Sequence, residues 1–142
     1  FLFKCLYKAK IANQPTSKNL KDGLKLNSTY ITNILKCVPP DDKPLKEELN
    51  NCSNYFNYEI SNLKRLKIII TLGKVAFDNF IKLYKAEYST DRKISFKHNQ
   101  MIKLLDGKIL LCSYHPSPRN VNTKLINLKK MENFFKKAKK LL

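Results

Sequence analysis

Apolar residues recur along this chain in two rhythms, a helical step of three or four positions and short unbroken runs. Leu2, Cys5, Leu6 and Ala9 take the first and predict a helix over about residues 1–11. A polar turn at Asn13-Gln14-Pro15-Thr16-Ser17 and a loop through Asp22-Gly23 follow it. Tyr30-Ile31-Thr32-Asn33-Ile34-Leu35, rich in β-branched residues, predicts a short buried strand that ends where Pro39 and Pro40 forbid continuation. Pro44 suits a helix start, and Leu45, Leu49, Cys52, Phe56, Ile60 and Leu63 then repeat at helical spacing. Lys67-Ile68-Ile69-Ile70-Thr71-Leu72 reads as a fully buried strand, with Gly73 turning it into a helix that carries Ala76, Phe80 and Leu83. Ile94-Ser95-Phe96 is a candidate edge piece in the otherwise unassigned stretch 86–103. A further strand runs from Lys108 to Ser113 after the Asp106-Gly107 turn. A last helix lines up Leu125, Leu128, Met131, Phe135, Ala138 and Leu142, with most of its lysines on the solvated side.

Strand, glycine, helix is the rhythm of a parallel sheet. The expected fold class is α/β: one domain over residues 1–142, a three-layer α/β/α sandwich around a short parallel sheet. Phe1 already stands inside a helical stripe, so a preceding segment is expected, carrying the first strand of the sheet. Ligands of open parallel sheets bind beyond the carboxyl ends of the strands. Asn33, Pro39, Gly73 and His115 stand at or just after such ends.

Charge narrows the class of partner. Twenty-eight basic against 11 acidic residues leave a formal net charge of +17, a field that attracts nucleic acid or another acidic surface. Only Arg65, Arg92 and Arg119 are arginine, so a lysine-rich background composition accounts for part of the excess. No apolar run reaches the ~18 to 20 residues of a membrane span, which leads to the expectation of a cytoplasmic protein without a membrane partner. Cysteines at 5, 37, 52 and 112 have no short spacing, so disulfides are not expected and buried thiols are the simplest reading.

The most informative stretch is Ser113-Tyr114-His115-Pro116-Ser117-Pro118-Arg119-Asn120. Prolines at 116 and 118 restrict the residues before them, so His115 and Ser117 are held extended. Such a histidine reads either as an active-site group or as the rim of a plain turn after a buried strand.

Taken together, the Tyr30–Pro40 segment, the Lys43-Pro44 helix start, Cys52 fifteen residues after Cys37, Ile70-Thr71-Leu72-Gly73 and His115-Pro116-Ser117-Pro118-Arg119-Asn120 resemble the iron-sulfur uracil-DNA glycosylases. Ala12-Asn13-Gln14-Pro15-Thr16-Ser17 and the Asn120-Val121-Asn122-Thr123 tail resemble the type B, or family 5, branch. The resemblance implies a monomeric repair enzyme that flips uracil, and in some members other deaminated bases, out of DNA and hydrolyses its N-glycosidic bond. It places Asn33 where a carboxamide reads the uracil edge, donating to O4 and accepting from N3–H, a pattern that cytosine reverses. It places His115 where an imidazole donates to O2 as the leaving uracil gains charge. Ser117, Arg119, Asn120 and Val121 fall in the position of the wedge and phosphate contacts. Asn33 also reads as a strand-end carboxamide satisfied by backbone, and Gly73 as a plain strand-to-helix turn. His98 is given no catalytic part.

The same resemblance implies a [4Fe-4S] cluster with Cys37 and Cys52 as two of its four thiolates. The family's other pair and its glycine-rich, water-positioning loop have no counterpart in this sequence. Cys5 and Cys112 do not match the missing ligands, and none of Asp22, Asp41, Asp42, Asp78, Asp91 and Asp106 has the context of the water-positioning acid. The polypeptide by itself is therefore expected to be weak or inactive. Two further readings remain: a non-catalytic or relic DNA-binding relative, and a nucleotide-binding α/β domain, which lacks a glycine-rich phosphate loop.

Overall fold

The computed structural model describes residues 1–38 and 45–142, and the expectations placed on Pro39, Pro40, Lys43 and Pro44 lie outside them. Eight elements follow in order: α1 (Leu2–Lys8), α2 (Lys46–Asn62), β1 (Ile68–Leu72), α3 (Lys74–Tyr88), β2 (Met101–Lys103), β3 (Ile109–Ser113), α4 (Pro118–Asn122) and α5 (Leu128–Lys139). The strands form one sheet in the order β1-β3-β2. β1 and β3 are parallel, in a register that sets Leu72 against Ser113, while β2 is antiparallel to β3.

The layers follow from alternation along the central strand. Leu111 faces a core built from α1 and α5 with Cys5, Leu6, Met131, Phe134 and Phe135. Its neighbours Leu110 and Cys112 face the other way, onto Phe56 of α2 and Phe77, Phe80, Ile81 and Tyr84 of α3. The α/β class and the three-layer arrangement thus stand as expected. Cys5 and Cys112 are buried thiols on opposite sides of the sheet.

Several local expectations need correction. Residues 30–35 form no strand: Tyr30 and Ile31 are exposed, and only Ile34 reaches the core beneath α2 and α3. β-branched content is a weak preference that needs a pairing partner, and this segment is held instead by side chains bonded to α2. Ile94-Ser95-Phe96 is not an edge strand either, because Phe96 turns inward onto Phe77 and Tyr114. The edge is β2, folded back through the Asp106-Gly107 turn, so the small sheet is mixed rather than wholly parallel.

Burial also departs from the expected stripes. β1 is only half-buried except at Thr71. α3 buries Phe77, Phe80, Ile81 and Tyr84, leaving Ala76 and Leu83 half-covered. α5 starts at its Asn127 cap, whose side chain accepts the Lys130 N–H at 2.9 Å, so Leu125 and Leu142 lie outside the helix and exposed. Ile126 and Phe134, outside the predicted stripe, are buried.

Candidate functional site

The carboxyl ends of β1 and β3 run directly into Gly73 and the His115 turn. Gly73 donates its N–H to the Ser113 carbonyl at 2.7 Å, extending the parallel ladder by one bond beyond the strands. Its φ is +101°, and a Cβ there would stand 2.9 Å from the Cβ of His115. Both conformation and space therefore require glycine at this position.

The turn carrying His115 is fastened from within. The Asn120 Nδ2 donates to the His115 carbonyl at 2.8 Å, and the Asn120 backbone N–H donates to Ser117 Oγ at 3.3 Å. Ser117 is extended, as the following proline demands, and caps α4 with Pro118 in the first turn. Of the four residues expected in the wedge, Arg119 is exposed, Asn120 is half-buried with its amide engaged on His115, and Val121 is half-buried against the α1/α5 core. The Ser117 oxygen is engaged as a cap. His115 itself is exposed.

His98 supports the same turn from the side. The Tyr114 N–H donates to His98 Nδ1 at 3.2 Å, and the two rings stack at 4.7 Å with an interplanar angle of 8°. Burial, aided by the charge of Lys130, pushes the His98 pKa below the ordinary imidazole value. With Nδ1 accepting, the neutral ring carries its proton on Nε2. Sequence reading missed this residue because the Lys97-His98-Asn99 stretch has no periodicity, and only the fold brings it against Tyr114.

Asn33 stands elsewhere, in a groove of about 300 Å³ lined also by Tyr30, Thr32, Leu35, Lys36 and Glu59. His115 is not among the walls of this groove. Glu59 organises the loop: it accepts from Tyr30 Oη at 3.1 Å, Thr32 Oγ1 at 2.7 Å and Lys36 Nζ at 2.8 Å. Burial would raise its pKa, but those three donors and the Lys36 charge outweigh it and hold the carboxyl below its usual value. The Asn33 carboxamide makes no hydrogen bond among the described residues, which leaves it available to a ligand. Glu59 was not singled out from sequence, since it reads there as one more polar position on α2.

Cys37 and Cys52 are neighbours in the fold, since the residue before Cys37 is bonded to the Cys52 sulfur. Cys37 is exposed and Cys52 buried, and the Lys36 N–H donates to Cys52 Sγ at 3.3 Å. Desolvation of the sulfur, then the Cys52 and Glu48 charges, push the Cys37 thiol pKa up. Neighbouring thiols, with a backbone N–H already aimed at the Cys52 sulfur, are the donor chemistry that a pair of thiolates on a shared cation would use. Among the described residues no group of three or more His, Cys, Asp or Glu side chains is placed to hold a metal. The pair therefore fits half of a four-thiolate set.

Three of the candidate aspartates have local employment. Asp22 accepts from backbone N–H groups of its own loop, Asp78 pairs with Lys74, and Asp106 holds Lys108 and Tyr88. Asp41 and Asp42 lie outside the described residues. No helix among the described residues is long and apolar enough to cross a membrane.

Comparison with known proteins gives a consistent picture. Residues 1–142 match the sequence profile described as "Uracil DNA glycosylase superfamily". Over 96% of its length the chain is 32% identical to a type-5 uracil-DNA glycosylase of Pyrobaculum aerophilum, covering 58% of that protein. Over 99% it is 33% identical to the type-5 uracil-DNA glycosylase of Mycobacterium tuberculosis, covering 52%. A type-4 uracil-DNA glycosylase of Archaeoglobus fulgidus is 29% identical over 67% of the chain, which covers 48% of it. The chain thus spans about half of the length of the curated relatives it matches.

Proposed function

The chain belongs to the uracil DNA glycosylase superfamily, and from that premise we propose that it supplies the base-reading and leaving-group side of an enzyme that excises uracil from DNA. The observation that carries this reading is the His115 turn, held by Gly73 and Asn120 at the carboxyl end of the sheet. Rigid support is what a donor acting on developing charge requires. In the proposed reaction the C1′–N1 bond breaks, its electron pair passes to uracil, and a water oxygen adds to C1′ while one water proton is released to solvent and on to the uracil anion. His115 donates toward uracil O2 as charge gathers there. Asn33, its carboxamide available, reads O4 and N3–H once loop and turn close around the extruded base. Arg119, the exposed one of the four wedge residues, enters the duplex, while Ser117, Asn120 and Val121 shape and hold the turn beneath it.

No residue of this chain is assigned to the water. Cys37 and Cys52 would hold two corners of a [4Fe-4S] cluster, which when bound fastens the 36–38 loop to α2. The protein works as a monomer on uracil-containing DNA, and deaminated purines, whose departing base likewise takes the electron pair of the broken bond, fall within the same chemistry.

The test is uracil release by the full-length protein from duplexes containing uracil, thymine or cytosine at one position. Release from the uracil strand alone is expected. Absence of release from every strand overturns the reading. The second reading, a DNA-binding relative without chemistry, is favoured by the local engagement of Asp22, Asp78 and Asp106. It predicts salt-dependent DNA binding with no base released.

A further inference from the structure

A second groove, of about 310 Å³, lies between α5 and the turn before β2 and is lined by His98, Asn99, Lys130, Asn133, Phe134 and Lys137. We propose that this groove binds one phosphodiester of the DNA backbone, a contact separate from the His115 turn and the Asn33 loop. The inference rests on the DNA-processing reading above.

Position is the first argument. β2 runs antiparallel to β3, so the residues that precede it lie at the carboxyl end of β3; Asn99 donates its N–H to the Cys112 carbonyl at 2.7 Å. Two of the groove's walls, His98 and Asn99, therefore stand at the same end of the sheet as His115, where ligands of such sheets bind. His98 forms the shared wall: it lines the groove and grips Tyr114, the residue before His115.

Chemistry is the second. Lys130, Asn133 and Lys137 follow at steps of three and four, which puts two ammonium groups and a carboxamide on one face of α5. Among the described residues no carboxylate lines the groove. Among the described residues the four ion pairs engage Lys36, Lys74, Lys108 and Lys136, so neither groove lysine is neutralised. Of the remaining walls Phe134 is apolar, while Asn99 and the His98 ring, with its proton on Nε2, add donors without negative charge. A single phosphodiester, with two anionic oxygens and no demand for base identity, matches this set.

The experiment measures affinity of the full-length protein for a uracil-free duplex across a salt series, together with uracil release from a uracil-containing duplex. Wild type is compared with Lys130→Gln/Lys137→Gln and with Lys46→Gln/Lys82→Gln, which removes the same charge from α2 and α3. Losing one phosphate contact is expected to flatten the log–log salt slope of the groove variant by about one, uniformly across DNA sequences, and to leave the control near wild type. An unchanged slope in the groove variant, or an equal flattening in the control, overturns the proposal. If wild type binds DNA but releases no uracil, the glycosylase reading falls, while the slope comparison still decides the groove.

Discussion

A Cβ atom placed on Gly73 would lie 2.9 Å from the Cβ of His115, closer than such atoms approach in folded proteins. The strand-to-helix turn after β1 and the histidine turn after β3 are therefore fitted to each other without spare room. Gly73→Ala meets this clash and also a φ of +101°. The expected result is a stability loss of about 1–3 kcal/mol and a slower chemical step, read by denaturant unfolding and single-turnover uracil release.

Asn120 binds the carbonyl of His115 rather than projecting freely. Asn120→Ala should cost about 0.5–1.5 kcal/mol of stability through the lost hydrogen bond. It should lower the single-turnover rate more than it weakens DNA affinity. A pure loss of affinity would mark Asn120 as a wedge residue instead.

His98 predicts a pH dependence. Its folded pKa is depressed below the ordinary ~6.5 by burial and by Lys130, so between those two values the unfolded chain binds more protons. The stability that depends on the neutral ring is thus complete above about pH 6.5 and is lost as pH falls through the folded pKa. Lys130 and Lys137 of α5 are the charged groups that share its groove. Thermal unfolding from pH 8 to 5 should show this decline in wild type and a flatter profile in His98→Asn, which keeps an acceptor for Tyr114 without titrating. His98→Ala should be destabilised throughout the range.

Glu59 ties Tyr30, Thr32 and Lys36 into one loop around Asn33. Glu59→Ala should raise amide hydrogen exchange across residues 30–36 and increase KM for uracil-containing DNA, with less change in kcat. Its folded pKa is lowered, so this support holds above the ordinary carboxyl value near 4.5 and weakens as pH falls through the folded one.

For the thiol pair, Cys37→Ser and Cys52→Ser in the full-length protein should each reduce bound iron and visible absorption. The matching changes at Cys5 and Cys112, buried in separate cores, should leave the iron content of folded protein unchanged.

Legibility in the sequence followed the physics of each signal. Long periodic segments such as α2, and the apolar runs of β1 and β3, were readable because burial imposes their spacing. The Tyr30–Leu35 loop misled because β-branched residues favour a strand only where a neighbour exists to pair with, and here Glu59 supplies the bonds instead. β2 was hidden because three residues in a hairpin carry too little pattern. At the site, proline stiffening was visible as a motif, whereas Cys37 and Cys52 stood out only through the family resemblance. The Gly73–His115 fit, the Asn120 fastening and the His98 stack are relations between distant or non-periodic positions that only the fold reveals.

The most direct measurement of the central claim is single-turnover uracil release by the full-length protein, wild type against His115→Ala, at saturating uracil-containing DNA. Removal of one donor to the leaving-group oxygen should slow the step by about 10²- to 10³-fold, roughly 3–4 kcal/mol of barrier, with folding and DNA affinity retained. Equal rates in the two proteins would contradict it.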